Sequence, residues 1–409
     1  MNHFFKVKSL EQVMELVPDF PGTGSEEVHL SECCSRILAR EITAHQDMPG
    51  FQRSTMDGYA VAASSTYGAS EANPAWLTMA GTIAMGEVPD FTLEPGQAAR
   101  ISTGGMLPKG ADGVVMVEHA EAVGKDALEV YKSIAPMQHV IDRAEDFARG
   151  QKILESGTLI RPQEAGLAAA LGFSQLTVFK RPRIGILSTG DEVVPVNAEP
   201  AMGEIRDINS YTLASLVQEA GAEPVLYGIV QDDAKALFDA VEKGVKETDM
   251  LLISGGSSVG VRDFTVDVFS SLKDTEILVH GISISPGKPT ILAKSGDKSV
   301  WGLPGHVVSA MVVFRIVVLP FLKRIQGCSN FLESKVRIPA LLTRNISSAQ
   351  GRRDFVRMRF SKKNGELFVE PVLGKSGLIR TMVHADGLLE INENVEGVEK
   401  DSLVEIIPL

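Results

Sequence analysis

The chain is 409 residues long, 44% hydrophobic, with a formal net charge of −12 from 40 lysines and arginines against 52 aspartates and glutamates. That length exceeds one hydrophobic core and suits two to four domains. The acidic balance excludes a protein that coats nucleic acid through a broad basic surface, so an anionic ligand needs a local cationic pocket.

Cys33, Cys34 and Cys328 form neither a CxxC pair nor an even framework, which points to a reducing cytoplasm and offers no thiolate metal site. Neither a signal peptide nor a membrane span is expected, because the longest apolar stretch, Val307 to Leu322, is interrupted by Arg315. In chain order, Leu10, Val13, Leu16 and Val17, spaced by three and four, predict a first helix, and Val28 to Glu41 a second. From 46 to 139 short apolar runs alternate with turns, which predicts a β-rich domain inserted into a helical linking domain of residues 1–45 and 140–180. Within the latter, Pro162 to Leu171 reads as a short helix ended by Gly172. Residues 181–327 alternate strand and helix: strands at Arg183 to Ser188, Glu223 to Ile229, Met250 to Ser254, Glu276 to Gly281 and Val300 to Leu303, and helices at Ile208 to Ala220, Ala234 to Val245, Phe264 to Leu272 and Val307 to Lys323. That is the pattern of a doubly wound α/β domain. Short strands at Lys335 to Leu341, Asp354 to Phe360, Leu367 to Pro371 and Ser402 to Ile407 then predict a small β-barrel or sandwich over 328–409.

Three strand ends of the α/β stretch carry glycines, hydroxyls and carboxylates: Ser188 to Glu192, Ser254 to Gly260 followed by Asp263, and Gly302 to His306. Ligands of open α/β sheets bind at that carboxyl edge. Gly255, Gly256 and Gly260 let backbone N–H groups approach an anion, and Glu192 and Asp263 suit a hard cation beside it. Of the adjacent Asp191 and Glu192, one faces the cleft and one the solvent. Asp263 is read either as a helix N-cap or as a metal contact. Lys288, stiffened by Pro286 and Pro289, offers a fixed charge to an oxyanion. His306 is read either as an anion donor or as a helix-start histidine with a backbone partner. Asp57, before Gly58, is either a turn aspartate bonded to its own backbone or functional, and Thr103 to Gly105 either an anion-binding turn or a hairpin closure. No HExxH or P-loop is present.

Taken in order, Met56 to Val61, Ile101 to Gly105, Gly110 to Val115, Ala144 to Asp146, Gly185 to Glu192, Ser254 to Asp263, Pro286 to Pro289, Gly302 to Gly305 with Ser309, and Ala385 to Gly387 resemble the molybdopterin molybdenumtransferase family, the MoeA and gephyrin E-domain group. The resemblance covers essentially the whole chain. It implies four domains, including a MogA-like α/β domain similar to the molybdopterin adenylyltransferase fold. It also implies a homodimer whose cleft lies between the α/β domain of one subunit and the inserted domain of the other. The implied reaction takes adenylylated molybdopterin and molybdate, inserts the metal into the dithiolene and releases AMP with the assistance of Mg²⁺.

Carried over by position, the catalytic set is Asp57, Thr103, Asp146, Glu192, Ser258 and Asp263, with Asp57, Glu192 and Asp263 as metal ligands. Gly255, Gly256, Gly260, Pro304, Gly305 and His306 contact the substrate, and Lys288, Ser309, Arg352 and Ser285 surround the molybdate. The chain departs from the family pattern at Ser285, where a lysine is usual, at His306 and Val307, where asparagine and proline are usual, and at Ser257 and Val261. These departures leave open a relative tuned to tungstate; a non-catalytic molybdopterin carrier is the competing class.

Overall fold

A computed structural model describes residues 7–255, 259–332 and 336–409; of residues 259–264 it describes the backbone alone. The chain divides into two compact units. The first comprises 7–40, 156–162 and 175–409, and the second Glu41–Glu155 with Gln163–Ser174.

In the first unit a six-stranded sheet is built from β1 (Arg183–Thr189), β2 (Glu223–Val230), β3 (Met250–Gly255), β4 (Thr275–His280), β5 (Ile291–Ser295) and β6 (Lys298–Leu303). Its order is β2-β1-β3-β6-β5-β4, parallel from β2 to β6 and antiparallel at β5 and β4. The central strands are buried on both faces, which is why they read as unbroken apolar runs. α1 (Asn209–Glu219) packs on β1 and β2, and α2 (Ala234–Glu247) packs on β1, β2 and β3 and against α3 (Val259–Ser271). Two separate apolar clusters result, one containing Leu213, Trp301 and Phe321, the other Leu237, Leu251 and Phe269. Trp301 and Phe321 meet edge to face at 4.9 Å, which anchors the last helical segment to β6.

That segment differs from the single helix expected. It runs as α4 (Val307–Val313), a π-helical turn over Phe314–Val318 and α5 (Leu319–Ile325). Pro320 lacks the N–H of a regular turn and its ring crowds the preceding carbonyls, and the wide turn just before it accommodates both.

The C-terminal strands β7 (Ile338–Leu342), β8 (Arg353–Lys363), β9 (Glu366–Pro371), β10 (Gly387–Ile391) and β11 (Leu403–Pro408) close into a five-stranded barrel in the order β8-β9-β7-β11-β10, with β10 returning to β8. A two-residue strand, Ile284–Ser285, adds parallel to β8 and sets Ser285 opposite Asp354.

The second predicted helix does not form. Ser25–His29 is instead a strand, paired antiparallel with Gln175–Phe179. Beyond it Ser35 turns the chain at φ 64°, and Ile37 and Leu38 then form bridges to Leu159 and Val178, with Arg36 and Leu38 buried. The first helix is a single capped turn, Leu10–Met14, followed by a 3₁₀ turn containing Pro18. Pro162–Ala170 is helical and ends where Gly172, at φ 82°, lets Phe173 N–H reach Ala168 O at 3.0 Å.

The second unit holds another six-stranded sheet, ordered Gly113–Met116, Gly58–Val61, Gln97–Ile101, Ala75–Ile83, Ala127–Val130, Ala120–Val123. Gly58 is required there: a Cβ would overlap the carbonyl of Val115 on the neighbouring strand.

Candidate functional site

The parallel strands β1, β3 and β6 end side by side, and two adjoining cavities open beyond their carboxyl ends. Gly255, at the tip of β3, allows that approach, since a Cβ would collide with the Thr189 carbonyl on β1.

The larger cavity has a volume of about 760 Å³. Ser285 and Lys288 come to its wall from the turn after Ile284, Pro304 and Gly305 from the end of β6, Ser309 from α4, and Arg352 from the entry to β8. Lys288 has no ion-pair or side-chain hydrogen-bond partner among the described residues, leaving its whole charge for a ligand. Arg352 differs: its Nε lies 3.0 Å from Asp354 Oδ1, and Asp354 also accepts from Ser348 Oγ at 2.8 Å. Gly287 closes the turn tightly, because a Cβ there would press on Val313 and Ile284. The buried hydroxyl of Ser309 completes a wall of donors suited to a tetrahedral oxyanion.

The smaller cavity, about 210 Å³, is lined by Glu192, Asp207 and Asn209 among others. Asp207 is buried at the sheet edge, where it accepts from Ser188 Oγ and from Ser210 N–H, each at 3.0 Å. Asn209 Nδ2 donates to Gly305 O at 2.8 Å and so fixes the turn that divides the cavities. Glu192 lines this cavity, whereas Asp191 accepts from the N–H of Asp232 at 3.1 Å. Burial, then Asp191 and Glu192, push the Asp232 carboxyl above its ordinary value. Its Oδ1 is buried with no hydrogen-bond partner among the described residues.

Three oxygen-donor carboxylates in repulsion, one with an orphaned atom, have the donor chemistry of a magnesium site. Among the described residues no three acidic, histidine or cysteine side chains already stand in ligating geometry. Gly256 and Ser258 lie outside the described residues, as do the surroundings of Gly260 and the side chain of Asp263. The backbone places Asp263 inside α3, which begins at Val259, so Asp263 is not its N-cap.

His306 does not have the backbone partner of a helix-start histidine, and its reading as an anion donor stays open. It occupies the N-cap position of α4 without a capping bond, and its Nδ1 lies 2.9 Å from Ser376 Oγ in the loop before β10.

In the second unit Asp57 and Thr103 come together. Asp57 Oδ1 accepts from Thr103 N–H at 2.8 Å and from Thr103 Oγ1 at 3.3 Å, so Asp57 bonds across to another loop rather than to its own turn. Gly104 N–H goes to Ser54 O and Gly105 N–H to Ser102 O, each at 2.8 Å. The loop therefore spends its backbone donors internally and is not an anion cradle. Asp146 N–H bonds Met48 O at 3.0 Å, and its carboxylate has no partner among the described residues.

Asp207, Asn209, Asp232 and Ser376 were not singled out by sequence. Asp232 carried one signal: the next residue, Asp233, caps α2 through Ala236 N–H at 2.7 Å, leaving two acidic residues where one cap suffices.

The donors that line the larger cavity suit an anion at the carboxyl edge of an α/β sheet. Residues 7–172 match the MoeA N-terminal region (domain I and II), 185–324 the family described as Probable molybdopterin binding domain, and 339–409 the MoeA C-terminal region (domain IV). A Methanocaldococcus jannaschii protein named for molybdopterin biosynthesis is 38% identical, over 93% of this chain and 91% of its own. A molybdopterin molybdenumtransferase of Bacillus subtilis is 30% identical over 97% and 93%. The crystal structure of a molybdopterin biosynthesis MoeA protein from Pyrococcus horikoshii superposes with a TM-score of 0.85 at 31% identity, covering 99% of this chain and 100% of that one. The chain belongs to the MoeA family, and with it to the enzymes of molybdenum cofactor biosynthesis.

Proposed function

We propose that this chain is a molybdenum insertase: it binds adenylylated molybdopterin and molybdate, transfers the metal to the dithiolene and releases AMP. The observation that carries the reading is the convergence of Ser285, Lys288, Ser309 and Arg352, from three separate segments, on one cavity that adjoins the cavity of Glu192. Lys288 supplies the unpaired charge for the oxyanion. Arg352, held by Asp354, supplies directed N–H groups, and Ser285 and Ser309 supply hydroxyls. Glu192 and Asp232, with Asp263, are the residues we assign to a Mg²⁺ ion. Held there, the ion would supply positive charge to the phosphate linkage and to the departing AMP.

We also propose a cytoplasmic homodimer in which Asp57, Thr103 and Asp146 of one subunit complete the cleft of the other. Exposed Val196, Tyr211 and Leu226, which share a shallow depression of about 250 Å³, supply apolar surface for subunit contact. Three cysteines without a disulfide accord with a reducing compartment. No helix among the described residues is long and apolar enough to cross a membrane.

The test is incubation with adenylylated molybdopterin, Mg²⁺ and either molybdate or tungstate, following AMP release and metal incorporation. Both products with molybdate are expected. Binding of molybdopterin with neither product would instead establish a carrier, and incorporation of tungsten alone would establish the tungstate-tuned alternative.

A further inference from the structure

The two cavities share three residues among those described: Gly255, Gly305 and His306. Two of these have no side chain, so the imidazole of His306 is the one side chain that lines both spaces. Neighbouring groups hold it there. Ser376 Oγ sits 2.9 Å from Nδ1, and Gly377 packs beside the ring, where a Cβ would stand 3.6 Å from Cδ2. Asn209 fixes the carbonyl of Gly305 immediately before it. With Nδ1 engaged, Nε2 has no partner among the described residues and is left to a ligand. The proposed oxyanion residues Ser285, Lys288, Ser309 and Arg352 line only the larger cavity, and Glu192 only the smaller.

We infer that His306 binds the phosphate linkage of a ligand that spans both cavities, donating from Nε2 while Ser376 orients the ring through Nδ1. The assignment rests on the reading that the substrate joins its two parts through phosphate. A donor at the junction meets whatever connects the two bound parts, and in such a substrate that connection is the anionic phosphate chain. The oxyanion itself stays among the donors of the larger cavity. His306 thus sets the register between the two parts of the substrate rather than the affinity for either part alone.

Three probes separate these terms by calorimetry on the intact protein: ADP for a phosphate chain, adenosine for the same base without phosphate, and molybdate for the oxyanion. In His306→Ala, ADP affinity is expected to fall about 10- to 100-fold, the worth of a hydrogen bond to a charged group, with adenosine and molybdate affinities unchanged. His306→Gln should recover part of the loss, and Ser376→Ala should weaken ADP by less than His306→Ala. The inference is overturned if the wild type does not bind ADP, if His306→Ala binds it as the wild type does, or if molybdate or adenosine affinity falls equally. Should His306→Ala not fold, Ser376→Ala keeps the ring but frees it, and unchanged ADP affinity there overturns the inference. A wild type that binds ADP through His306 but neither releases AMP nor incorporates metal removes the insertase reading alone. Normal turnover in His306→Ala removes the phosphate contact alone.

Discussion

Asp57 in the inserted sheet accepts two bonds from Thr103, whereas Asp232 at the edge of the α/β sheet faces Asp191 and Glu192 and keeps a buried oxygen with no partner among the described residues. The first carboxylate has its charge answered by donors and ties two loops together. The second sits in a repulsive group that a cation would relieve. The two acidic stations therefore do different work: one sets the shape of a loop, and the other holds like charges together at the edge of the α/β sheet.

The largest effect is expected from separating the two stations between subunits. Asp57→Ala and Glu192→Ala should each lower turnover by at least about 100-fold, the first by releasing the loop tied to Thr103 and the second by removing a proposed Mg²⁺ ligand. Co-expressed with different tags and purified as a heterodimer, the two inactive chains should regain about half of wild-type AMP release, because a two-fold assembly then holds one intact site of two. A verified heterodimer as inactive as its parents would show that both stations serve a cleft within one chain.

Within the larger cavity the same contrast between an answered and an unanswered charge recurs at Arg352 and Lys288. Lys288→Ala should raise the molybdate concentration needed for half-saturation by about 10- to 100-fold while changing pterin binding little. Arg352→Ala should cost less, because Asp354 already answers part of that charge. Ser285→Lys should tighten molybdate binding by adding a second cation to the wall. Titrations with molybdate and tungstate measure all three, and equal affinities in wild type and Ser285→Lys would show that position 285 does not face the oxyanion.

Much of this arrangement was legible along the chain. The α/β sheet shows itself because its central strands are buried on both faces, and the glycines at the tips of β3 and β6 mark the cleft. β5 and β10 escaped notice: Ile291–Ser295 forms a hairpin with β6 across the two-residue turn of Gly296 and Asp297, whereas Gly387–Ile391 depends on a distant neighbour, β8. The helix expected over Val28 to Glu41 failed because Ser35 turns the chain at φ 64° and Ile37 and Leu38 bridge to Leu159 and Val178. Lys288 stood out through its flanking prolines. Arg352 and Ser309 were reached only through family resemblance, because their common cavity is closed by tertiary contacts. Asp207, Asn209 and Ser376 likewise acquire their meaning from partners 19, 96 and 70 residues away.

A smaller effect tests the stored repulsion at Asp232. Its folded carboxyl is raised, so the stability it contributes is present below the ordinary carboxylate value and is lost as pH rises through the raised folded value. Asp232→Asn escapes that loss. Its melting temperature should exceed that of the wild type by about 2–4 °C at neutral pH, with the difference vanishing in acid. Added Mg²⁺ should raise the wild-type melting temperature more than that of the variant. Melting curves from acid to neutral pH, with and without Mg²⁺, measure both; a variant less stable than wild type at neutral pH would contradict the repulsion.

The smallest effect belongs to the answered carboxylate. Asp57 Oδ1 receives its shorter bond, 2.8 Å, from the backbone of Thr103 and its longer one, 3.3 Å, from the hydroxyl. Thr103→Val keeps the branched shape and the N–H and deletes only the long bond, so it should cost less than about 1 kcal/mol of stability and lower turnover by no more than a few-fold. Thr103→Pro deletes the N–H itself and should cost distinctly more, because the Asp57 carboxylate then loses its better donor. Urea unfolding and AMP release measured on both variants separate a positioning role from a catalytic one. If Thr103→Val keeps its stability yet loses turnover as severely as Asp57→Ala, the hydroxyl touches the reacting group, and the inserted sheet then supplies chemistry as well as shape.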